Sequence, residues 1–220
     1  DPSTSSRGNV GGALGNNSCG AHSILWGKTV DNVYDLNVVL SNGDKAKFEH
    51  LTGDTFEEKL RISGLEGDIY RNLFAIGEKN RDEILARYPK IQRRVSGYNL
   101  DEFVSGSNFD MARFVVGSEG TLLTITEAKL KVVSIPKIKG LGVLHCNDLN
   151  ESMEATVAAI EMEPAAVELI GSMIIKQAQS NLAYSRLTSF IEGSPEALLV
   201  IELIADTDLE LQSRFDELET

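Results

Sequence analysis

Two glycine-rich segments contain the residues best suited to hold a ligand against the backbone. They are residues 11–20 (GGALGNNSCG) and residues 117–122 (GSEGTL), about 100 residues apart. Because glycine has no Cβ, such segments reach positive φ and let a ligand approach closely. Asn16, Asn17 and Ser18 can both donate and accept hydrogen bonds. The pair predicts two backbone edges along one extended ligand, although a glycine-rich turn without a ligand explains residues 11–20 equally well.

The surrounding residues exclude two familiar motifs. A dinucleotide-binding glycine fingerprint follows a strand, and no strand-like sequence comes before residue 11. A serine-hydrolase elbow needs glycine two residues before and two residues after its serine. Around Ser118 those places hold Val116 and Gly120, so only one of them is glycine. The chain's histidines offer no triad order either. They are His22, His50 and His145.

Amino-acid composition and charge exclude further classes of function. The chain has 220 residues and a formal net charge of −12, and its densest basic cluster is the short segment 90–94. We exclude nucleic-acid binding, because it depends on clustered Lys and Arg. The two cysteines, Cys19 and Cys146, form neither a disulfide framework nor a Cys-x-x-Cys metal motif. We therefore expect inert thiols in a reducing, cytoplasmic setting. No apolar run has the length of a membrane span.

Two further candidates stay open. His22 follows the first glycine-rich segment and could contact a ligand, but a lone histidine is more often a hydrogen-bonded structural residue. Arg93 and Arg94 could bind a carboxylate. A solvated surface is the simpler interpretation for this arginine pair.

Hydrophobic spacing and turn residues predict the elements of the first part of the chain. Residues 29–49 predict a hairpin around the turn at residues 41–44 (SNGD). Residues 54–88 predict helices, with Asp54 as the first N-cap and Pro89 ending the last helix. The remaining predictions are a short helix at 100–104, a short helix leading to a strand at 109–116, and a long strand at 122–133.

A change of pattern near residues 136–139 predicts a domain boundary. Beyond it we expect strands at 140–145, 167–170 and 198–204, and helices at 149–160, 172–182 and 208–218. The order β-α-β, helical insertion, β-α predicts a split βαβ unit that lacks its last strand. Helix 149–160 should bury one apolar stripe. That stripe consists of Leu149, Met153, Val157 and Ile160.

Five motifs, in order, resemble those of a known family. They are DPST at residues 1–4, GGALGNNSCG at 11–20, WGKTVDNV at 26–33, SGYNL at 96–100 and VGSEGTL at 116–122. The chain resembles the FAD-linked oxidases of the vanillyl-alcohol oxidase and p-cresol methylhydroxylase type. Within them it is most similar to the D-lactate, glycolate and D-2-hydroxyglutarate dehydrogenase branch, and there to large bacterial members that carry an iron–sulfur half.

The resemblance implies an α+β fold with two domains. Residues 1–136 would form the second subdomain of the FAD-binding domain, an antiparallel sheet with helices. Residues 137–220 would begin a ferredoxin-like cap domain. In this family FAD lies between two α+β subdomains, and the cap covers the flavin and holds the substrate.

The resemblance also implies a set of FAD-binding residues. Along the diphosphate and the flavin it places Pro2, Ser3, Thr4 and Ser5. Beside the isoalloxazine and the pyrophosphate it places Gly11, Gly12, Asn16, Asn17, Ser18, Cys19 and Gly20, with His22 close behind. From the second subdomain it adds Glu119, Gly120, Thr121 and Ile125. The cofactor would supply the hydride chemistry, and these residues would supply close approach and hydrogen bonds.

Other parts of the family pattern are expected outside this chain. The first FAD subdomain should precede Asp1, and the cap residues that bind a metal and the hydroxy acid should follow Thr220. No residue present is a convincing general base, so catalytic residues stay unassigned and no metal site is expected. We therefore expect a fragment that is inactive alone, binds FAD weakly or not at all, and is colourless when purified.

The implied activity of the parent enzyme is oxidation of a D-2-hydroxy acid of the lactate, glycolate or 2-hydroxyglutarate type. The product would be the 2-oxo acid, and electrons would pass from FAD to an acceptor or to the iron–sulfur half. The identity of the acid and the acceptor, the oligomeric state and any membrane contact stay open. The alternative is a non-catalytic binding or assembly module that reuses this fold, because fold does not fix function.

Overall fold

The computed structural model describes residues 2–104 and 108–218, which fall into two compact units. The first unit comprises Asp1–Gly20 and Gly27–Val133, and the second comprises Ala21–Trp26 and Ser134–Thr220. The strands are β1 (Val33–Val39), β2 (Lys45–Thr52), β3 (Asn108–Asp110), β4 (Thr124–Leu130), β5 (Ile138–Cys146), β6 (Ala166–Gly171) and β7 (Ala197–Ala205). The α-helices are α1 (Val10–Asn16), α2 (Ser23–Trp26), α3 (Gly53–Arg61), α4 (Leu65–Lys79), α5 (Arg81–Arg87), α6 (Met111–Val115), α7 (Leu149–Glu161), α8 (Ser172–Ser180) and α9 (Asp208–Leu218).

An antiparallel sheet forms the centre of the first unit. Its strand order is β3-β2-β1-β4, and Leu36 of β1 lies opposite Phe48 of β2. The strands β1 and β2 are the predicted hairpin, and Gly43 takes a φ of 88° in the turn between them. Helix α4 packs Ile69 and Leu73 onto the same core, as their helical spacing indicates. The sheet and α4 thus give the glycine-rich segments a packed support.

Four sequence predictions for this unit need correction. Helix α3 begins at Gly53 rather than after Asp54, because Thr52 is the N-cap and its N–H donates to Thr55 Oγ1 at 3.1 Å. The order predicted for residues 109–116 is reversed, since the short strand β3 comes before α6. Strand β4 spans only Thr124–Leu130, because a turn occupies residues 119–122. The predicted helix at 100–104 is a 3₁₀ turn over Leu100–Phe103.

The second unit contains a three-stranded antiparallel sheet of order β5-β7-β6. Strand β7 lies between the two strands of the predicted split βαβ unit and pairs with both. Helices α7 and α9 pack on one face of this sheet, over Leu199, Ile201 and Leu203. Phe215 of α9 comes so close to β5 that a Cβ on Gly140 would lie 2.7 Å from its ring. Glycine in β5 therefore permits the tight packing of α9.

Helix α7 buries the face opposite to the predicted one. The apolar stripe is exposed, with 54% of Leu149, 51% of Met153, 66% of Val157 and 48% of Ile160 accessible to solvent. The buried positions are Ser152 and Ala159. Small residues let the helix axis approach the sheet closely, and the large side chains consequently face away from it.

Candidate functional site

The two glycine-rich segments lie side by side in the first unit. The N–H of Gly117 donates to the Leu14 carbonyl and the N–H of Glu119 donates to the Gly15 carbonyl, both at 2.9 Å. Gly117 has a φ of 86°, and a Cβ at this position would lie 3.2 Å from the Cβ of Asn17. Helix α1 and the turn after α6 therefore form one continuous backbone surface.

Asn17 supports this surface from inside. It ends α1 in the left-handed conformation, with a φ of 51°, and its N–H donates to the Ala13 carbonyl. Its side chain is buried, and its Oδ1 accepts a hydrogen bond from the Val30 N–H at 3.0 Å. The structure gives the Asn17 side chain a role in positioning the loop, and its contact with FAD stays a prediction.

The base of the loop after Asn17 is closed by backbone hydrogen bonds. The Ser18 carbonyl accepts from the Thr29 N–H at 3.0 Å and from Thr29 Oγ1 at 2.9 Å. The Cys19 carbonyl accepts from the Ser3 N–H at 3.2 Å, and the Gly20 carbonyl accepts from the Arg93 guanidinium at 2.9 Å. These contacts hold the first residues of the chain against the end of the glycine-rich segment.

Asp31 strengthens the turn that follows. It accepts hydrogen bonds from the Lys28 N–H at 2.9 Å and from the Arg113 guanidinium at 3.2 Å. Burial alone would raise the pKa of Asp31. The Lys28 N–H and the charges of Lys28 and Arg113 outweigh that effect and hold the pKa below its ordinary value. The carboxylate is thus kept charged, and it fixes the turn that closes onto Ser18.

A cavity of about 350 Å³ opens between the first residues and α1. Six of the predicted site residues line it: Pro2, Thr4, Ser5, Gly12, Asn16 and Ser18. Five further residues complete the lining: Arg7, Gly8, Asn9, Val10 and Ala13. Ligand cavities are typically about 300–1,000 Å³. The hydroxyls, amides and one guanidinium of this lining are groups that hydrogen-bond phosphate oxygens.

The other predicted residues lie outside the cavity lining. Ser3, Gly11, Glu119, Gly120 and Thr121 are exposed on the same unit. The Thr121 hydroxyl is 2.8 Å from the Tyr98 hydroxyl. Ile125 of β4 packs against the core of the first unit, so its side chain is not at the surface of the cavity.

His22 lies in the second unit. Its Nε2 is 3.0 Å from Glu202 Oε1 of β7, and its ring is 5.1 Å from the Trp26 ring. Lys139 approaches the other Glu202 oxygen at 3.8 Å. These contacts give His22 the structural role that the sequence left open. Its contact with FAD stays a prediction.

Arg7 lines the cavity but is not among the site residues predicted from the sequence. It precedes Gly8 in a stretch rich in serine, glycine and asparagine. A lone cation inside a glycine-rich, hydroxyl-rich stretch is itself a signal for an anionic ligand.

In residues 2–104 and 108–218 no three His, Cys, Asp or Glu side chains are grouped so that they could hold a metal ion. Within the same ranges no helix is both long and apolar enough to cross a membrane.

Comparison with known proteins identifies the region around the cavity. Residues 1–48 match the FAD binding domain family. The predicted resemblance to FAD-linked oxidases is thereby confirmed, and so is the α+β fold class. The matched stretch contains the whole cavity lining and the first glycine-rich segment.

Curated relatives match most of the chain. The D-2-hydroxyglutarate dehydrogenase of Escherichia coli K12 is 27% identical over 98% of this chain and 22% of its own length. That of Pseudomonas putida is 26% identical over 96% of this chain and 22% of its own length. The glycolate oxidase subunit GlcD of Bacillus subtilis is 27% identical over 77% of this chain and 26% of its own length. The chain thus spans about a fifth to a quarter of these relatives.

A solved structure supports the fold. An alkyldihydroxyacetonephosphate synthase superposes on all of this chain and on 34% of its own, with a TM-score of 0.56. Its sequence identity is 16%, so this likeness concerns the fold alone.

Proposed function

We propose that this chain supplies one wall of an FAD site in an enzyme that oxidises a D-2-hydroxy acid to the 2-oxo acid. The observation that carries the proposal is the cavity of about 350 Å³, lined by six residues that the family pattern selects. All of its lining falls within residues 1–48, the stretch that matches the FAD binding domain.

The lining suits the polar part of FAD. Thr4, Ser5 and Ser18 offer hydroxyls, and Asn16 offers an amide, at the surface of the cavity. Gly12 also lines the cavity, at the start of α1, where its N–H donates to Asn9 Oδ1 at 2.6 Å. FAD would supply the hydride-accepting chemistry when bound, and these residues would hold and orient it through hydrogen bonds.

The hydrogen bonds around the site hold this wall in one conformation in the absence of a ligand. The paired backbones of α1 and the turn at Gly117, together with buried Asn17, fix the floor of the site. A site whose groups are already placed loses less conformational entropy on binding. The predicted contacts of Glu119, Gly120 and Thr121 with FAD form part of this proposal.

The substrate class rests on the relatives. Four curated matches are named D-2-hydroxyglutarate dehydrogenases, and a fifth is named a glycolate oxidase subunit. Those names share a 2-hydroxy acid. We infer the same class here, with electrons passing from FAD to an acceptor or an iron–sulfur half of the complete gene product.

FAD titration of the isotopically labelled chain tests the cofactor site. We expect weak binding, without a flavin band after dialysis, and amide shifts confined to residues 2–20 and 117–125. Asn16→Ala should weaken binding, because it removes a cavity amide. Asn150→Ala, an exposed position on α7, is the control and should have no effect. Shifts centred elsewhere, or none at millimolar FAD, would contradict the proposal.

Dye reduction by the complete gene product tests the substrate class. We expect activity with D-2-hydroxyglutarate, D-lactate or glycolate, and little with L-2-hydroxyglutarate or L-lactate. A protein that binds FAD but reduces no dye with any of these acids would favour the non-catalytic module instead.

A further inference from the structure

Arg7 is placed for anion binding by a fixed backbone. Its N–H and that of Gly8 both donate to the Thr4 carbonyl, at 2.9 and 2.7 Å, and the Ser5 N–H donates to the Pro2 carbonyl at 2.9 Å. The Ser3 N–H ties this turn to Cys19 at 3.2 Å. The main chain at residue 7 is therefore held at the edge of the cavity by several hydrogen bonds.

The guanidinium of Arg7, by contrast, has no partner among the residues that the structure describes. Across residues 2–104 and 108–218 its side chain forms no hydrogen bond or ion pair, whereas Arg94, Arg113 and Arg214 all do. The Arg7 side chain is exposed and lines the cavity. An arginine with an anchored backbone and a free charged group is available to a ligand without first breaking an internal contact.

Charge makes this arginine distinctive. It is the one ionisable side chain among the residues that line the cavity, in a chain whose formal net charge is −12. The other polar groups of the lining are neutral hydroxyls and amides. Without Arg7, a doubly charged diphosphate would meet only neutral donors here, against the repulsion of an acidic protein.

We propose that Arg7 binds the diphosphate of the dinucleotide and is the charged anchor of this wall. The inference rests on the proposed function and goes beyond it by assigning one side chain to one part of the ligand. A planar guanidinium can give two parallel N–H bonds to a phosphate, which a lysine ammonium cannot.

The test separates the parts of FAD. Amide-shift titrations with ADP, which carries the diphosphate, and with riboflavin, which carries none, are compared for the wild-type chain and Arg7→Gln. We expect Arg7→Gln to weaken ADP and FAD binding about tenfold, as for the loss of one charge-assisted hydrogen bond. Riboflavin binding should stay within about twofold, since riboflavin has no phosphate for Arg7 to contact.

Two control variants sharpen the result. Arg61→Gln removes the same charge from an exposed ion pair on α3 and should leave ADP binding within about twofold, because exposed charges act weakly at a distance. Arg7→Lys should recover part of the loss, because it restores the charge without the bidentate geometry.

Each outcome bears on a different statement. Equal ADP binding by the wild type and Arg7→Gln would overturn the role of Arg7 and leave the FAD site standing. An equal loss of ADP and riboflavin would also overturn it, since that pattern reports a damaged loop. Failure of the wild type to bind ADP, riboflavin and FAD alike would overturn both proposals.

Discussion

Gly117 is the residue on which the contact between the two glycine-rich segments depends. Its φ of 86° belongs to the left-handed region, and an added Cβ would lie 3.2 Å from the Cβ of Asn17. Asn17 cannot easily retreat, because it is buried and bonded to the Val30 N–H. A side chain at position 117 would therefore meet two separate penalties, one from the backbone and one from its neighbour.

Gly43 provides a matched control for the backbone penalty. It has nearly the same φ, 88°, but an added Cβ there meets no other heavy atom within 4 Å. We expect Gly43→Ala to cost about 1–2 kcal/mol from the left-handed conformation alone. Gly117→Ala should cost at least about 1 kcal/mol more, since overpacking a rigid contact adds to it. Urea unfolding of the two variants measures the difference, and equal midpoints would show that the segments are not held this closely.

Helix α7 shows at the scale of an element how size, and not only polarity, selects the buried face. Ser152 is fully buried, and its hydroxyl donates to the Leu149 carbonyl at 2.7 Å. This hydrogen bond within the helix satisfies the polar group, so that a serine can lie against the sheet. The large apolar side chains then occupy the outer face, where 48–66% of each is exposed to solvent.

Hydropathy alone suggests that a change in the apolar stripe of α7 destabilises the second unit more than a change at Ala159. The observed burial predicts the opposite order. Ala159→Leu adds volume against the sheet and should destabilise the second unit by about 1–3 kcal/mol. Val157→Ser removes an exposed apolar group and should change stability by no more than about 0.5 kcal/mol. Circular dichroism during urea unfolding gives both values. A larger loss for Val157→Ser than for Ala159→Leu would mean that the outward stripe is in fact buried.

Local signals predicted the elements well, and non-local packing explains where they failed. The turn around Asn42 and Gly43 located the first hairpin, because its chemistry is contained in a few neighbouring residues. The face of α7 could not be found in this way, since burying Ser152 depends on the shape of a sheet formed by distant strands. The order of β3 and α6 was missed for a similar reason, as β3 exists only through pairing with β2.

The same distinction between local signals and non-local packing applies to the residues of the candidate site. Motif order selected six of the residues that line the cavity. It could not show that Asn17 turns inward to Val30 or that Ile125 packs on the core, because both facts depend on tertiary contacts. Arg7 was within reach of sequence reasoning, since its charge stands alone in a neutral stretch.

The whole molecule departs from a simple division of the chain into a first and a second part. The chain leaves the first unit after Gly20, contributes Ala21–Trp26 to the second, and returns at Gly27. Within the second unit this excursion is held by His22 and Glu202, residues 180 positions apart in sequence. No local pattern could have assigned these six residues to the second unit. The predicted domain ranges 1–136 and 137–220 stay a prediction about the family's domains.

Hydrogen exchange can decide whether residues 21–26 belong to the second unit in solution. Ile201→Val, at a fully buried position of β7, should destabilise the second unit by about 0.5–1.5 kcal/mol. Amides that become exposed in the same unfolding event all exchange faster when that event becomes easier. We therefore expect residues 21–26 to exchange faster along with β5, β6 and β7. Val38→Ala, at a buried position of β1, is the control and should accelerate the first unit's hairpin while leaving residues 21–26 unchanged. If residues 21–26 instead follow Val38→Ala, the excursion unfolds with the first unit, and the contact between His22 and Glu202 is not what holds it.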